Sequence, residues 1–463
     1  MIKFAASLLA LALCLATPAA SAVTELQLWH AMEGPAAEAV QRLADRFNAS
    51  QQAYRLVPSH HGSDEDTLKA GLAAAVAGKG PHLLQVSESS ASDMLADTRA
   101  IKPLHQLAAE TRLPLDRTGI SPGMGALYSD ASGKLVALPF NASTPLMLFN
   151  REAFIKAGLD PDKPPVSWYE LQPMLIKLQE AGEECPYTTS WQSWIHLVNV
   201  SAHHNNPFAS ANNGYGSPRP ELLVNGHLMI RHISLLSAWL KSDLFSYSGR
   251  GNAGDLRFAK GECAIITTSS EAWPEIRRAA EFTVVAAPLP HYDDFKGAPY
   301  NTLMGGGALW TMAGKTTAEY AGVAQFLQFL SSPAAVEDWH QNTGFLPVTK
   351  TAENALRKIG YYAMRPFAEI ASRQLHGGNG GAFARGVRLR HFAQIRSILD
   401  EELEAVWNNV KPPKLALDDA VVRGNALLKP LVAAPAASTR PVANIPRKPE
   451  AKAPAKPNCQ GCR

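Results

Sequence analysis

From Val23 onward the chain alternates short apolar runs with longer amphipathic stretches, and this alternation constrains the fold more than any other feature. Leu26-Gln27-Leu28-Trp29 predicts a strand, Ala36 to Phe47 a helix with Val40, Leu43, Ala44 and Phe47 on one face, and Tyr54 to Val57 a second strand. A helix over Thr67 to Ala77, a strand over His82 to Val86 and a helix over Ser89 to Ala96 follow. Strands separated by helices of this length predict βαβ units and a mostly parallel sheet with helices on its faces. Sheets of that kind bind ligands beyond the carboxyl ends of their strands, which makes the loops after Trp29, Val57 and Val86 candidate sites.

A second α/β region starts at Pro145. Pro145 to Phe149 predicts a strand and Arg151 to Ala157 a helix stopped by Gly158. Ser167-Trp168-Tyr169-Glu170 is a capping box opening a helix that runs to Ala181 and ends at Gly182, with Pro173 predicting a kink. Farther on, Cys263 to Thr267 predicts a strand, and Glu319 to Leu330 and Phe392 to Val406 predict helices.

The two ends read differently from this body. Lys3, the apolar run Phe4 to Ala16 and the small-residue site Ala20-Ser21-Ala22 form a secretory signal cleaved near Ala22. The run is shorter than the ~20 residues a spanning helix needs. From Leu431 onward Pro, Ala and Lys dominate, a composition that cannot form a core and predicts a disordered tail. That tail holds six basic residues and one acidic; with Lys3 also set aside, the overall +3 becomes −3 for the body. The body therefore lacks the basic excess that nucleic acid requires. Cys185 and Cys263 lie in the body, where pairing is open; Cys459 and Cys462 make a lone CxxC without the second pair that zinc needs.

The chain has no phosphate-loop motif and no nucleophile-elbow serine. The histidine groupings, His30 with Glu33, His60-His61 and His203-His204, lack the helical spacing of a zinc site and read as surface or loop histidines. No metal or cofactor is expected, and no catalytic residue.

Three segments carry a specific resemblance: Asn150 to Leu171 (NREAFIKAGLDPDKPPVSWYEL), Phe258 to Ile265 (FAKGECAI), and Phe326 to Pro333 (FLQFLSSP) followed by Trp339. They resemble the extracellular solute-binding proteins of ABC importers, carbohydrate type. Further stretches are similar to the branch of that family that binds sn-glycerol-3-phosphate: Trp29 to Gly34, Pro139 to Pro145, Trp191 to Ile195, Trp339 to Pro347, and Gln394 to Arg396 with Asp400 to Leu403. The similarity is collinear from about Val23 to Leu428.

The resemblance implies a two-lobed α/β fold of the type II periplasmic-binding-protein kind, with a ligand cleft between lobes. The implied division is a signal at 1–22, first lobe 23–140, second lobe 141–298, a return to the first lobe at 299–345, C-terminal helices of the second lobe at 346–430, and the tail at 431–463. It implies a non-catalytic monomer that closes on sn-glycerol-3-phosphate or a glycerophosphodiester and hands it to membrane permease subunits. Glu88, Ser143, Trp191, Ser269, Gly306 and Arg396 stand where the family's ligand contacts would be. Arg396 suits a phosphate, Glu88 glycerol hydroxyls, and Trp191 the carbon chain.

Two positions depart from the family, with Asp64 and Phe345 where it has tyrosines. A carboxylate about 4 Å from a phosphate would cost ~4 kcal/mol at an effective dielectric near 20, more than a lost hydroxyl contact. Three readings follow: Asp64 faces solvent while His60 or His61 reaches in; the ligand is a diester such as glycerophosphocholine, whose cation suits Asp64, Glu88 and Trp191; or the ligand is another polyol or a sugar. The competing classes are an exported metal-dependent phosphodiesterase built on the histidines and Asp64, and an adaptor working through the basic tail.

Overall fold

The computed structural model describes residues 23–114, 119–120, 122–377 and 380–429. The signal, the tail and Cys459 and Cys462 lie outside the described residues. Among the described residues there are ten strands: β1 (Thr24–His30), β2 (Tyr54–His60), β3 (Leu83–Ser87), β4 (Leu138–Ser143), β5 (Pro145–Asn150), β6 (Tyr187–Thr189), β7 (Phe245–Tyr247), β8 (Ile265–Ser269), β9 (Val284–Ala287) and β10 (Gly305–Thr311).

They form two five-stranded sheets, ordered β2-β1-β3-β10-β4 and β7-β6-β8-β5-β9. The chain passes from one sheet to the other at Thr144, and β10 returns to the first after β9 has closed the second. Each sheet is mostly parallel in strand direction, with four strands running one way and one the other, β10 in the first sheet and β5 in the second. β1 runs parallel to β2 and β3, while β10 is antiparallel to β3 and β4. In the second sheet β6 is parallel to β7 and β8, and β5 is antiparallel to β8 and β9. The reason lies in the connections: only a crossover that stays within one lobe, like the helix after β1, enforces parallel pairing. Strands that enter from the other lobe escape that rule.

Local sequence accounts for the helices around each sheet. The helix Gly34–Ser50 begins with Pro35 in its first turn and buries Ala39, Val40, Leu43, Ala44 and Phe47 at helical spacing. Both arms of the Ser167/Glu170 capping box form, and the helix they open runs from Trp168 through Pro173 to Glu180. A second capping box, Thr316 with Glu319, opens the helix Thr317–Leu330. Cys185 and Cys263 form a disulfide between the starts of β6 and β8.

Two helix starts differ from the sequence pattern, and both bear on the cleft. The helix expected from Thr67 begins a turn earlier, at Asp64, because the Ser63 hydroxyl accepts from Asp66 N–H. Asp64, Glu65 and Asp66 then occupy the first turn, where the helix dipole favours negative charge. The helix expected from Ser89 is preceded by a 3₁₀ turn, Glu88–Ser90, capped by Ser87.

His203 and His204 are not surface histidines: they are 2% and 5% exposed. Their helix, Val200–His203, packs into the second lobe's core, where His203 sits against the carbonyls of Tyr300 and Leu289 and His204 against that of Val200. Burial lowers both pKa values, to about 3 for His203 and about 4 for His204.

Candidate functional site

The carboxyl ends of β1, β2 and β3 open onto a cavity of about 620 Å³, and the segments that follow each of them, Ala31–Glu33, Ser63–Glu65 and Ser87–Ser89, line it. From the second sheet come Trp191, just beyond β6, and Ser269 and Glu271, at the end of β8. Ser143 at the end of β4, Gly305 and Gly306 on β10, Phe345, and Arg396 with Asp400 on the helix Phe392–Trp407 complete the wall. All eight residues singled out from the sequence, Asp64 and Phe345 included, border this one space. His60 and His61 do not line it. His61 instead stacks on Trp29 at 3.9 Å between ring centres, and Asp64 takes the place on the wall.

Backbone conformation sets several of these positions. Trp191 adopts a left-handed conformation with φ 49°, held by its N–H donating to the Gly251 carbonyl at 2.6 Å. A non-glycine residue there costs about 1–3 kcal/mol, and the surrounding contacts sustain it. Gly306 has φ 94°, and a Cβ on it would stand 1.5 Å from the Asn141 carbonyl oxygen. A Cβ on Gly305 would meet the Trp194 ring at 2.7 Å and Ser143 Oγ at 2.9 Å. The glycines thus let β10 run close under Asn141, Ser143 and Trp194. Phe345 is buried and stacked parallel to Trp339, 5.5 Å away, which holds its ring at the wall.

The charge on the lining is lopsided. Among the described residues eight carboxyl groups border the cavity, namely Glu33, Asp64, Glu65, Glu88, Asp255, Glu271, Glu275 and Asp400, against the one guanidinium of Arg396. That guanidinium is already engaged, with Arg396 Nη1 donating to Glu88 Oε1 at 2.8 Å. Ser87 Oγ donates to the other Glu88 oxygen at 2.9 Å and fixes the carboxylate toward the cleft.

The crowding of acids shows in their proton affinities. Asp64 keeps solvent-exposed surface at the open cleft, yet the walls around it displace enough bulk water to raise its carboxyl to about 6, with Glu88 adding and Arg396 opposing. Glu271 rises to about 8, first through desolvation, then through Asp255, Asp64 and Glu88. Desolvation takes Asp255 to about 6 although Thr268 and Ser190 hydroxyls donate to it at 2.6 and 2.8 Å. Asp400 is raised as well, chiefly by desolvation, against the Ser193 N–H that donates to it at 3.3 Å.

Sequence reasoning missed several wall residues. Trp194 and Asp400 stood inside stretches that carried the resemblance, next to residues that were chosen. Asn141 stood inside such a stretch too, Pro139 to Pro145; Asp255 and Glu271 gave no such signal, since an acid at a helix start is ordinary until the other lobe is brought against it. Among the described residues no group of three or more His, Cys, Asp or Glu side chains is placed to hold a metal ion.

The family model for bacterial extracellular solute-binding proteins matches residues 42–359. The chain belongs to that family. Two relatives are the sn-glycerol-3-phosphate-binding periplasmic proteins UgpB of Yersinia pseudotuberculosis and Salmonella typhimurium. The first is 43% identical over 411 residues, covering 89% of this chain and 93% of that relative. The second is 43% identical over 431 residues, covering 93% and 98%. Among solved structures, UgpB from Mycobacterium tuberculosis in complex with glycerophosphocholine aligns with TM-score 0.73 at 20% identity, over 87% of this chain and 98% of that one. The cyclic alpha-maltosyl-1,6-maltose binding protein of Arthrobacter globiformis aligns with TM-score 0.70 at 22% identity, over 88% and 99%. At those identities the two structures establish the fold alone, the two-lobed α/β architecture of periplasmic sugar-binding proteins.

Proposed function

We propose that this protein is the periplasmic solute-binding component of an ABC importer, that it captures a glycerophosphodiester in the cleft, and that it works without catalysis. The resemblance to glycerol-3-phosphate-binding relatives supports a glycerol phosphate skeleton. The observation that carries the choice of a diester is the lining itself, eight carboxylates and one arginine. A monoester phosphate brings close to two negative charges into that field and has one guanidinium to meet it. A diester brings a single negative charge, and a cationic head group such as choline offsets the carboxylates. In this reading Arg396 takes the phosphate, Glu88 accepts from the glycerol hydroxyls, Trp191 covers the carbon chain, and Asp64 faces the cationic end. Ser143, Ser269 and the backbone at Gly306 add polar contacts, and Phe345 adds an apolar one. Lobe closure around the ligand then presents the loaded form to the permease.

A monoester remains the second reading, favoured by one observation: Asp64, with its carboxyl raised to about 6, sheds its charge in mildly acidic medium. Calorimetric titration with glycerophosphocholine and sn-glycerol-3-phosphate side by side tests the choice. Tighter diester binding at pH 7.5 is expected. Tighter monoester binding at that pH overturns the diester assignment, and binding of neither turns attention to other polyols and sugars.

A further inference from the structure

A second cavity, about 640 Å³, adjoins the cleft, and Glu88 and Trp194 line both. Its walls differ in kind from those of the cleft. Met124, Leu127, Val198, Leu303, Leu375 and Phe392 line it, each between 2% and 6% exposed. They come from the short helix after residue 121, the helical segment after β6, the strand-like approach to β10, and the helices Pro366–His376 and Phe392–Trp407. Among the described residues Glu88 is the one carboxylate on this second lining, which also carries Asn212, Asn301, Thr302, His376 and Arg385. Trp194 Nε1 and Asn301 Oδ1, on residues of the same wall, are buried without a hydrogen-bond partner. Buried polar atoms of this kind weaken the fold until something satisfies them.

We propose that this second cavity takes the acyl chain of a monoacylated glycerophosphodiester, so that the protein binds lysophospholipids of short or medium chain as well as deacylated diesters. The inference rests on the reading of the cleft given above. There the glycerol end of the ligand stands at Glu88, the residue common to both linings. Esterifying one glycerol hydroxyl at that place directs its substituent out of the acidic cleft and into the apolar space, while the remaining hydroxyl still serves Glu88. The ester also brings an acceptor close to the unpartnered Trp194 N–H. An alkyl chain laid along the apolar strip of Met124, Leu127, Val198, Leu303, Leu375 and Phe392 loses water on entering and gains affinity with each methylene buried.

Val198 and Leu303 provide plugs for the test. Both line the second cavity and not the cleft, and they are 3% and 5% exposed, so a larger side chain at either adds bulk at that wall. The experiment is calorimetric titration of the mature protein with glycerophosphocholine and its 1-butanoyl and 1-octanoyl derivatives below their micellar concentrations, repeated with Val198→Phe and Leu303→Phe, each shown to be folded by a thermal melt. The expected result is affinity rising with chain length, with the octanoyl compound at least about tenfold tighter than glycerophosphocholine. In the folded variants that gain should shrink while glycerophosphocholine binds as before. Glycerophosphocholine binding with no gain from acylation overturns the proposal and leaves the diester reading standing. A gain that survives in both folded variants also overturns it, because the chain then lies elsewhere. If none of the three binds, the reading of the cleft fails and the proposal with it. Tighter binding of glycerophosphoinositol than of the octanoyl compound would reassign the cavity to a head group.

Discussion

Replacing Arg396 by alanine is the most direct test of how the cleft works. In the free protein the guanidinium meets Glu88 Oε1 at 2.8 Å, with the two side chains 17% and 11% exposed. Such a pair lies between a surface ion pair, worth ~0–1 kcal/mol, and a buried one whose disruption costs ~3–5 kcal/mol. Truncation leaves Glu88 facing Asp64 and Glu271 without a cation on the wall, so a stability loss of about 1–3 kcal/mol follows. The loss in ligand binding is larger in consequence. A charge-assisted hydrogen bond to a phosphate contributes ~1.5–3 kcal/mol, and the phosphate would also enter a wall whose charged groups are all acidic. Together these predict at least a ~100-fold weaker binding of glycerophosphocholine, about 3 kcal/mol. Arg396→Lys should recover part of it, because a lysine restores charge but not the planar fork. Titration calorimetry reads the affinity, and a thermal melt shows that the variant is folded. A folded Arg396→Ala variant that binds within threefold of the parent protein would refute the reasoning and remove Arg396 from the site.

Three other perturbations have defined outcomes. Gly306→Ala places a Cβ 1.5 Å from the Asn141 carbonyl oxygen at φ 94°, so a loss of at least about 2 kcal/mol in urea unfolding is expected, and an unchanged midpoint would contradict it. Removing the Cys185–Cys263 disulfide, which closes a separation of 78 residues, should cost about 4.5 kcal/mol by the loop-entropy estimate, read as a drop in the denaturation midpoint of the double alanine variant. Acidification should lower stability through buried histidines. His196 and His203 are held near 3 by desolvation against an unfolded value of 6.5, so the unfolded chain binds more protons across that window and stability falls as pH drops below 6.5. Glu271, raised to about 8 from 4.5, acts in the opposite sense: the native state holds the extra proton between those values, so its cost builds as pH rises from 4.5 and is complete above pH 8. Melting temperature against pH should therefore fall from 6.5 toward 4.5, and Glu271→Gln should stabilise the protein most at alkaline pH; a flat profile in either limb would count against that assignment.

Much of the fold was legible in the chain because short-range signals agree with one another. The strand at Leu26–Trp29, the amphipathic helix up to Phe47 and the Ser167/Glu170 box each specify an element whatever else surrounds it. The carboxyl-end rule placed the cleft for the same reason, since it depends only on strand direction. Strand pairing was less legible. The antiparallel entry of β5 and β10 depends on which lobe the chain has come from, and no local pattern records that.

The sequence by itself determined the two α/β lobes, the family and the identity of eight residues that meet on one wall, because periodicity, capping and a long collinear resemblance are properties of neighbours along the chain. Only the tertiary structure decided how those residues are charged and shared. Asp64 turned to the cleft instead of His60 or His61 because Ser63 starts the helix one turn early. Arg396 met Glu88, 308 positions away, because the helix Phe392–Trp407 crosses back over the 3₁₀ turn after β3. Asp255 and Glu271 became acids of the site only when the second sheet was laid against the first. Electrostatic interaction depends on distance and surrounding dielectric, and both are set by contacts between segments that the linear order keeps far apart.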